Sequence, residues 1–312
     1  MWFRYACDEQ CDKDMEISSQ EAMLAMQAET TLARLPLCGH LPERNVVLFR
    51  SVRTEHESKG GSRMGTLEGA VVIITGSARG IGRAIAEEMG RGGANVVVNY
   101  SKSQGLAEDL VAQLRESGSP QAVAIQADVS DAAQAARLIE ETCSQFSRID
   151  VLVNNAGINI DRSLKNLSVQ DWNTVIQTDL NSYFYTVKAA LPYFMQQKSG
   201  KIINISSVIG QMGNFGQANY ATAKAGIVGF TKTAALELAR SHVTVNAVCP
   251  GFIATEMYEG IPEKAKEAIV ARIPLGRVGT AQEVARAVRY LIVDGDYITG
   301  ASFNLNGGLY LQ

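Results

Sequence analysis

Cysteine is scarce in this chain, and its five residues (Cys7, Cys11, Cys38, Cys143 and Cys249) keep no regular spacing. That excludes a disulfide framework and reads as reduced thiols in a cytoplasmic setting. Cys7 and Cys11 would make half of a metal site, but no second pair or histidine cluster completes it, so no metal is expected. Charge of one sign is lacking too. Lys and Arg number 29 against 32 Asp and Glu, a net charge of −3, which gives no basic signal for nucleic acid. No apolar run approaches the roughly 20 residues that span a bilayer, so no membrane partner is expected. The first residues include Asp8 and Glu9 where a secretory leader would be apolar.

What is present is ordinary for a globular protein: 312 residues, 46% apolar and 20% charged. Residues 1–63 show little pattern. A short helix around Ser19–Leu35 is expected there, with the remainder poorly ordered. Met64-Gly65-Thr66-Leu67-Glu68-Gly69 then leads directly into an apolar strand, as a natural protein start does. The expectation is that Met64 initiates the native protein and that 1–63 is an upstream extension of the reading frame. A targeting or interaction arm is the rival, and an intact native mass near full length would sink the start-site reading. Residues 64–312 are expected to form one domain.

From Ala70 the pattern becomes regular. Strand signals fall at Val71–Ile74, Asn95–Asn99, Ala122–Gln126, Ile149–Val153, Lys201–Ile205, Val243–Val248 and Ser302–Leu305. Helical patterns separate them, at Arg83–Gly90, Leu106–Ser117, Ala132–Phe146, from Ser168 to about Gln197, around Tyr220, at Ile261–Ala271 and at Ala281–Ile292. Strands alternating with helices mean an α/β fold, a doubly wound parallel sheet of Rossmann type with helices on both faces.

The chemistry-bearing residues cluster at the carboxyl ends of those strands, where doubly wound folds bind ligands. Thr75-Gly76-Ser77-Ala78-Arg79-Gly80-Ile81-Gly82 is a Gly-rich turn between strand and helix. Its backbone N–H groups can take a pyrophosphate. Asn99-Tyr100-Ser101-Lys102 ends the second strand without a carboxylate to hold a ribose 2′-hydroxyl. Arg79, Ser101 and Lys102 could hold a 2′-phosphate there, so the expected cofactor is NADPH/NADP. Asp128-Val129 ends the third strand, where a carboxylate can accept from an adenine amine. Asn154-Asn155-Ala156-Gly157 ends the fourth, with small residues that allow close approach to a ribose. Pro250-Gly251-Phe252-Ile253-Ala254-Thr255 ends the sixth.

The fifth strand ends at Ser207. Beyond it, Tyr220 and Lys224 lie four residues apart in an Ala-rich helical pattern and so share one helix face. A free tyrosine has a pKa near ~10, high for an acid at neutral pH, and a neighbouring ammonium lowers it. A serine hydroxyl at the strand end could hold the carbonyl oxygen that receives the proton. Alone, a Tyr-x-x-x-Lys spacing is more often an ordinary amphipathic helix; the other strand ends reverse those odds.

Together these residues resemble the short-chain dehydrogenase/reductase family, over about 65–312. The matches are Thr75-Gly76-x-x-x-Gly80-x-Gly82, Asn154-Asn155-Ala156-Gly157, Ser207, Tyr220-x-x-x-Lys224 and Pro250-Gly251. The resemblance implies hydride transfer from a nicotinamide to a carbonyl carbon. Tyr220 would be the acid, Ser207 would orient the carbonyl, and Lys224 would hold the nicotinamide ribose and lower the Tyr220 pKa. Thr255 and the backbone near Ile253 would bind the carboxamide. One position departs: Asp179-Leu180 stands where the family has an Asn-Leu pair that helps carry a proton-relay water. Within the family the chain is similar to reductases of 3-oxoacyl thioesters. Phe215-Gly216-Gln217 leans toward those acting on acetoacetyl-CoA, with Phe215, Gln217 and Phe252 as pocket residues. The alternative is reduction of a thioester on an acyl carrier protein, for which Lys198 and Arg240 are docking candidates although Ser241 weakens the match. A reductase of a steroid, sugar or polyol ketone is the next reading, and a non-catalytic dinucleotide-binding regulator the last. Residues Thr255–Ile273 are expected to form a mobile lid, and the resemblance also implies a homotetramer, with the long helices after the fourth and fifth strands as one interface.

Overall fold

The computed structural model describes residues 66–311, so the helix expected at Ser19–Leu35 and the extension 1–63 lie outside the described residues. Strand β1 (Val71–Ile74) is apolar on both faces and fully buried, as a central parallel strand must be. Helix α1 (Gly80–Arg91) follows, then β2 (Asn95–Tyr100), α2 (Gln104–Glu116), β3 (Ala122–Gln126), α3 (Ala132–Phe146) and β4 (Val151–Asn154). The second half begins with α4 (Val169–Ile176), which Ser168 caps by accepting from the Asp171 N–H, as its position before the apolar pattern suggests. A π-helical turn, Gln177–Asn181, joins α4 to α5 (Ser182–Gln197). Then come β5 (Gly200–Ile205), the short α6 (Ile209–Met212), α7 (Ala218–Leu238) and β6 (Val243–Pro250). The chain closes with β7 (Ile253–Ala254), α8 (Glu256–Glu259), α9 (Glu263–Val270), β8 (Gly279–Thr280), α10 (Ala281–Val293) and β9 (Ser302–Leu305).

Seven strands form one sheet in the order β3-β2-β1-β4-β5-β6-β9. Every pair in it is parallel; Ile73 of β1 lies between Val97 of β2 and Leu152 of β4. A buried apolar cluster covers each face. On one side α1, α2 and α10 pack around Ile85, Leu110 and Val288; on the other α3, α5 and α7 pack around Leu138, Phe194 and Leu238. The strand order reverses between β1 and β4, which leaves a crevice at their carboxyl ends. The fold is therefore the doubly wound α/β domain that the alternating pattern implies. The segment expected as a lid holds α9, where a helix is expected at Ile261–Ala271, and the additional short helix α8 before it. No helix among the described residues is long and apolar enough to cross a membrane.

Candidate functional site

The Gly-rich turn is shaped by contacts that only glycine allows. Gly76 has φ +61°, and a Cβ on it would stand 3.0 Å from Ala156 Cα in the turn after β4. A Cβ on Gly82 would meet Asn155 Nδ2 at 2.5 Å and Gly76 O at 2.7 Å. The two turns are also stitched by polar atoms. The Thr75 hydroxyl accepts from the N–H groups of Asn155 and Ala156 at 2.9 and 3.0 Å. Asn155 Nδ2 donates to Thr75 O and Gly76 O at 2.9 and 3.2 Å. No side chain caps α1 behind Arg79, and its first turn carries no acid. Its first N–H groups, which have no intrahelical partner, therefore stand open to an anion. A dinucleotide pyrophosphate fits this cradle.

The cofactor residues named from sequence divide into those that face the crevice and those that build it. Ser77 and Asn99 belong to the second group. Ser77 is buried and its hydroxyl donates to Ile74 O at 2.8 Å. Asn99 is buried, accepts from the Gly76 N–H at 3.1 Å and donates to Ile125 O and Ala127 O at 3.3 and 3.1 Å. Its amide ties the glycine turn to the ends of β2 and β3, and both of its N–H groups are spent on backbone carbonyls. Ile81 packs on the core and Val129 is buried. Asp128 is partly exposed; one of its oxygens accepts from the Ser130 N–H and hydroxyl at 3.0 and 2.6 Å. Ser101 and Lys102 are exposed at the rim. Arg79 is engaged across the crevice with Glu256 of α8 at 3.4 Å, both side chains being mostly exposed. Such a pair is worth about 0–1 kcal/mol, little enough for a phosphate to displace it. Thr255 stands beside it, its methyl 3.9 Å from where a Gly80 Cβ would be. Pro250 accepts from the Val208 N–H at 2.9 Å, and Gly251, where a Cβ would lie 2.8 Å from Asn306 Cα, donates to Leu305 O at 2.8 Å. These bonds lock the end of β6 to β5 and β9.

Ser207, Tyr220 and Lys224 come together next to this cradle. Ser207 sits two residues past β5 and its hydroxyl accepts from the Ile209 N–H at 3.1 Å. Tyr220 and Lys224 both lie on α7, with the ammonium 5.4 Å from the Tyr220 ring centroid. Lys224 Nζ donates to Ile205 O at 3.2 Å and to the Tyr183 hydroxyl at 3.4 Å, and lies 3.3 Å from Asp179 Oδ2. Burial alone would push the Lys224 ammonium down, but Tyr183, Asp179 and Tyr220 together outweigh it and hold it above its ordinary value. For Tyr220 the expectation of a net lowering needs correction. Burial dominates and pushes the phenol up; Lys224 and Ser207 favour the phenolate, while Asp179 and Asp161 oppose it. In the free protein, Tyr220 therefore keeps its proton firmly.

Asp179 is fully buried in the π-helical turn, a geometry that often marks functional sites. Its Oδ1 accepts from the Ile158 N–H at 2.8 Å. Its Oδ2 makes the ionic contact to Lys224 but has no hydrogen-bond partner. Burial pushes its carboxyl up, and Lys224 and the Ile158 N–H pull the other way.

The expected pocket residues separate. Phe215 is 90% exposed, so it forms no wall of an enclosed acyl pocket. Gln217 is buried and spent on structure: its amide donates to Asp161 Oδ1 at 2.9 Å and to Asn159 Oδ1 at 3.3 Å, and accepts from Asn214 at 2.8 Å. It clamps the 158–163 loop to the loop before α7, beside the Tyr220 phenol. Phe252 lines a cavity of about 450 Å3 with Ile253, Ile273 and Leu275, away from Ser207, Tyr220 and Lys224.

Two features escape sequence reasoning. Tyr183 touches Lys224, yet an aromatic in a helix looks like packing; Thr75, named within the Gly-rich motif, gave no sign there that its hydroxyl holds the turn after β4. A buried polar chain behind the site, Thr186 to Asn154 at 2.6 Å, Asn154 to Asn204 at 2.9 Å and Asn204 to Thr231 at 2.9 Å, joins α5, β4, β5 and α7. Its only signal is asparagine inside apolar strands.

Comparison with known proteins places this geometry. A family model described as short chain dehydrogenase matches residues 70–266. A protein of Synechocystis sp. named 3-oxoacyl-[acyl-carrier-protein] reductase is 48% identical over 250 residues, which are 80% of this chain and 100% of the relative. Proteins named 3-oxoacyl-[acyl-carrier-protein] reductase FabG are similar too. One from Staphylococcus aureus is 45% identical over 240 residues, 77% of this chain and 97% of its own. One from Haemophilus influenzae is 44% identical over 247 residues, 79% of this chain and 100% of its own. With the doubly wound sheet, the glycine cradle and the Ser-Tyr-Lys cluster on one crevice, the chain belongs to the short-chain dehydrogenase/reductase family and is an oxidoreductase acting on CH–OH/C=O groups.

Proposed function

We propose that the protein is an NADPH-dependent reductase that converts 3-oxoacyl thioesters into 3-hydroxyacyl thioesters, with the acyl group carried on an acyl carrier protein. The observation that carries this reading is the Ser207, Tyr220 and Lys224 cluster beside the glycine cradle, in a chain 44–48% identical to relatives named for that reaction. Acetoacetyl-CoA, the first expectation from sequence, is the less supported substrate because these relatives are named for the carrier-protein ester.

In this reading the α1 N-terminus and Gly76, Gly80 and Gly82 hold the pyrophosphate. Arg79, Ser101 and Lys102 hold the 2′-phosphate, and Asp128 accepts from the adenine. Asn155, Ala156 and Gly157 lie against the ribose, and Thr255 with the backbone at Ile253 holds the carboxamide. NADPH, when bound, supplies the hydride. Ser207 donates a hydrogen bond to the carbonyl oxygen and fixes it near Tyr220. Tyr220 gives that oxygen its phenolic proton as charge develops there. Lys224 keeps a positive charge beside the forming phenolate. Cytoplasmic localisation follows the same reading.

The test is NADPH oxidation with acetoacetyl-carrier protein, beside acetoacetyl-CoA and beside NADH. Preference for the carrier-bound ester with NADPH is expected. Preference for the CoA ester would replace the carrier, and equal use of NADH would overturn the role of Arg79 and Lys102.

A further inference from the structure

Lys224 has more partners than a residue serving only a bound ribose needs. Three of them lie on its inner side and come from this chain alone. Asp179 and Tyr183 are one helical turn apart and present a carboxylate at 3.3 Å and a hydroxyl at 3.4 Å to the same ammonium. Ile205 O accepts from that ammonium at 3.2 Å and from the Tyr183 hydroxyl at 2.9 Å, closing the set. All four groups are buried. The space is made deliberately: a Cβ on Gly157 would stand 2.7 Å from Asp179 Oδ2 and 3.3 Å from Lys224 Nζ. An asparagine at 179 would keep the shape and the bond to Ile158 but remove the charge.

We propose that Asp179 and Tyr183 are positioning residues that anchor the Lys224 ammonium, and that the Asp179 charge makes Tyr220 a weaker acid than the same site with an amide would hold. This rests on Tyr220 being the proton donor. The balance is electrostatic. Lys224 favours the Tyr220 phenolate, and a carboxylate in contact with Lys224 cancels much of that effect. Asp179 also opposes the phenolate through space. The groups facing the pair are Tyr220 and Lys224 from α7, Tyr183 from α5, Asp161 from the loop after β4, and the Cys249 thiol from β6. Burial pushes Tyr183 up to about 12, so it stays a neutral hydroxyl; the charge beside Lys224 is the Asp179 carboxylate's, opposed by burial and favoured by the ammonium 3.3 Å away and by the Ile158 N–H.

The experiment compares the unaltered protein with Asp179→Asn and Tyr183→Phe. Oxidation of a 3-hydroxyacyl thioester requires Tyr220 without its proton, so the acid limb of kcat/KM reports its ionisation. Asp179→Asn should move that limb to lower pH by about one unit or more. Tyr183→Phe removes a hydrogen bond and no charge. It should leave the limb in place and weaken binding of the dinucleotide about threefold to tenfold. An unmoved limb in Asp179→Asn, or an equal movement in Tyr183→Phe, overturns the proposal. Should no thioester be turned over, the substrate reading fails by itself. The Tyr220 ionisation can then be read by ultraviolet difference titration of each NADP-bound protein against its Tyr220→Phe counterpart. Equal midpoints with and without the Asp179 charge would overturn the anchor. Asp179→Ser serves in both measurements if the asparagine variant does not fold.

Discussion

A single oxygen carries the proposed reaction. Tyr220→Phe removes the proton donor and leaves the ring in place over Lys224, so turnover should fall about 10²- to 10⁴-fold. The dissociation constant for NADPH, measured by fluorescence titration, should change little, because Lys224 keeps its bonds to Ile205 O and Tyr183. Loss of cofactor binding instead would contradict the acid role. Lys224→Ala is a different case. It leaves the buried Asp179 carboxylate with no counter-charge, and breaking one side of a buried pair costs about 3–5 kcal/mol. That variant should lose both activity and thermal stability, seen as a drop in Tm beside the loss of rate. Ser207, Tyr220 and Lys224 were legible only when their spacing was read together with the other strand ends, because strand end and helix face fix where such side chains point. Tyr183 was not legible, because its hydroxyl matters only through a contact between two helices, 3.4 Å from the Lys224 ammonium, that neither helix's own pattern shows.

At the scale of elements, the strands and helices were legible because alternating apolar runs and amphipathic helices leave few other arrangements. The strand ends were legible as places, less so as roles. Asn99 and Ser77 sit where the pattern put them, but their side chains turn inward to hold the glycine turn. Direction of a side chain at a strand end depends on which backbone groups need partners, and one sequence does not show that. The turn makes a sharp prediction. In Gly82→Ala the new methyl would press on Gly76 O and Asn155 Nδ2, and the first is backbone that cannot swing away. Helix α1 must then shift off the turn, at about 1–3 kcal/mol. NADPH affinity should fall at least tenfold by titration, with a smaller loss in Tm. Helix α10 gives an independent test through pH. Thr280 and Glu283 form its capping box, and Glu283 also accepts from Arg277 at 2.7 Å. The Arg277 bond holds the Glu283 carboxyl down, to about 2. A depressed carboxyl stabilises the fold above its unfolded pKa and loses that contribution as pH falls through the folded value. Glu283→Gln should therefore lower Tm at pH 7, and the gap to the unaltered protein should narrow as pH falls from about 5 toward 3.

The whole molecule sets a geometric problem for a carrier-bound substrate. Lys198 follows α5 and Arg240 follows α7, so both stand where the chain returns to the sheet, at the amino ends of β5 and β6. Ser207 stands past the carboxyl end of β5, which has six residues. At about 3.3 Å per residue the two edges are roughly 20 Å apart. A carrier held on Lys198 and Arg240 would face away from Tyr220 of its own subunit, and an assembly of several copies would be needed to bring that patch beside another crevice. The outer faces of α5 and α7 support such an assembly, since Phe184, Met195 and Leu236 are exposed there. A homotetramer is expected in solution, measurable by light scattering, and Leu236→Glu should dissociate it by burying a charge in the contact. Lys198→Glu with Arg240→Glu should raise KM for the acidic carrier-bound ester about tenfold at low salt and leave the small CoA ester unchanged, with the difference shrinking as salt is added. If both esters respond alike, the carrier docks elsewhere. If the Leu236→Glu monomer still prefers the carrier-bound ester, the preference does not depend on a neighbouring subunit.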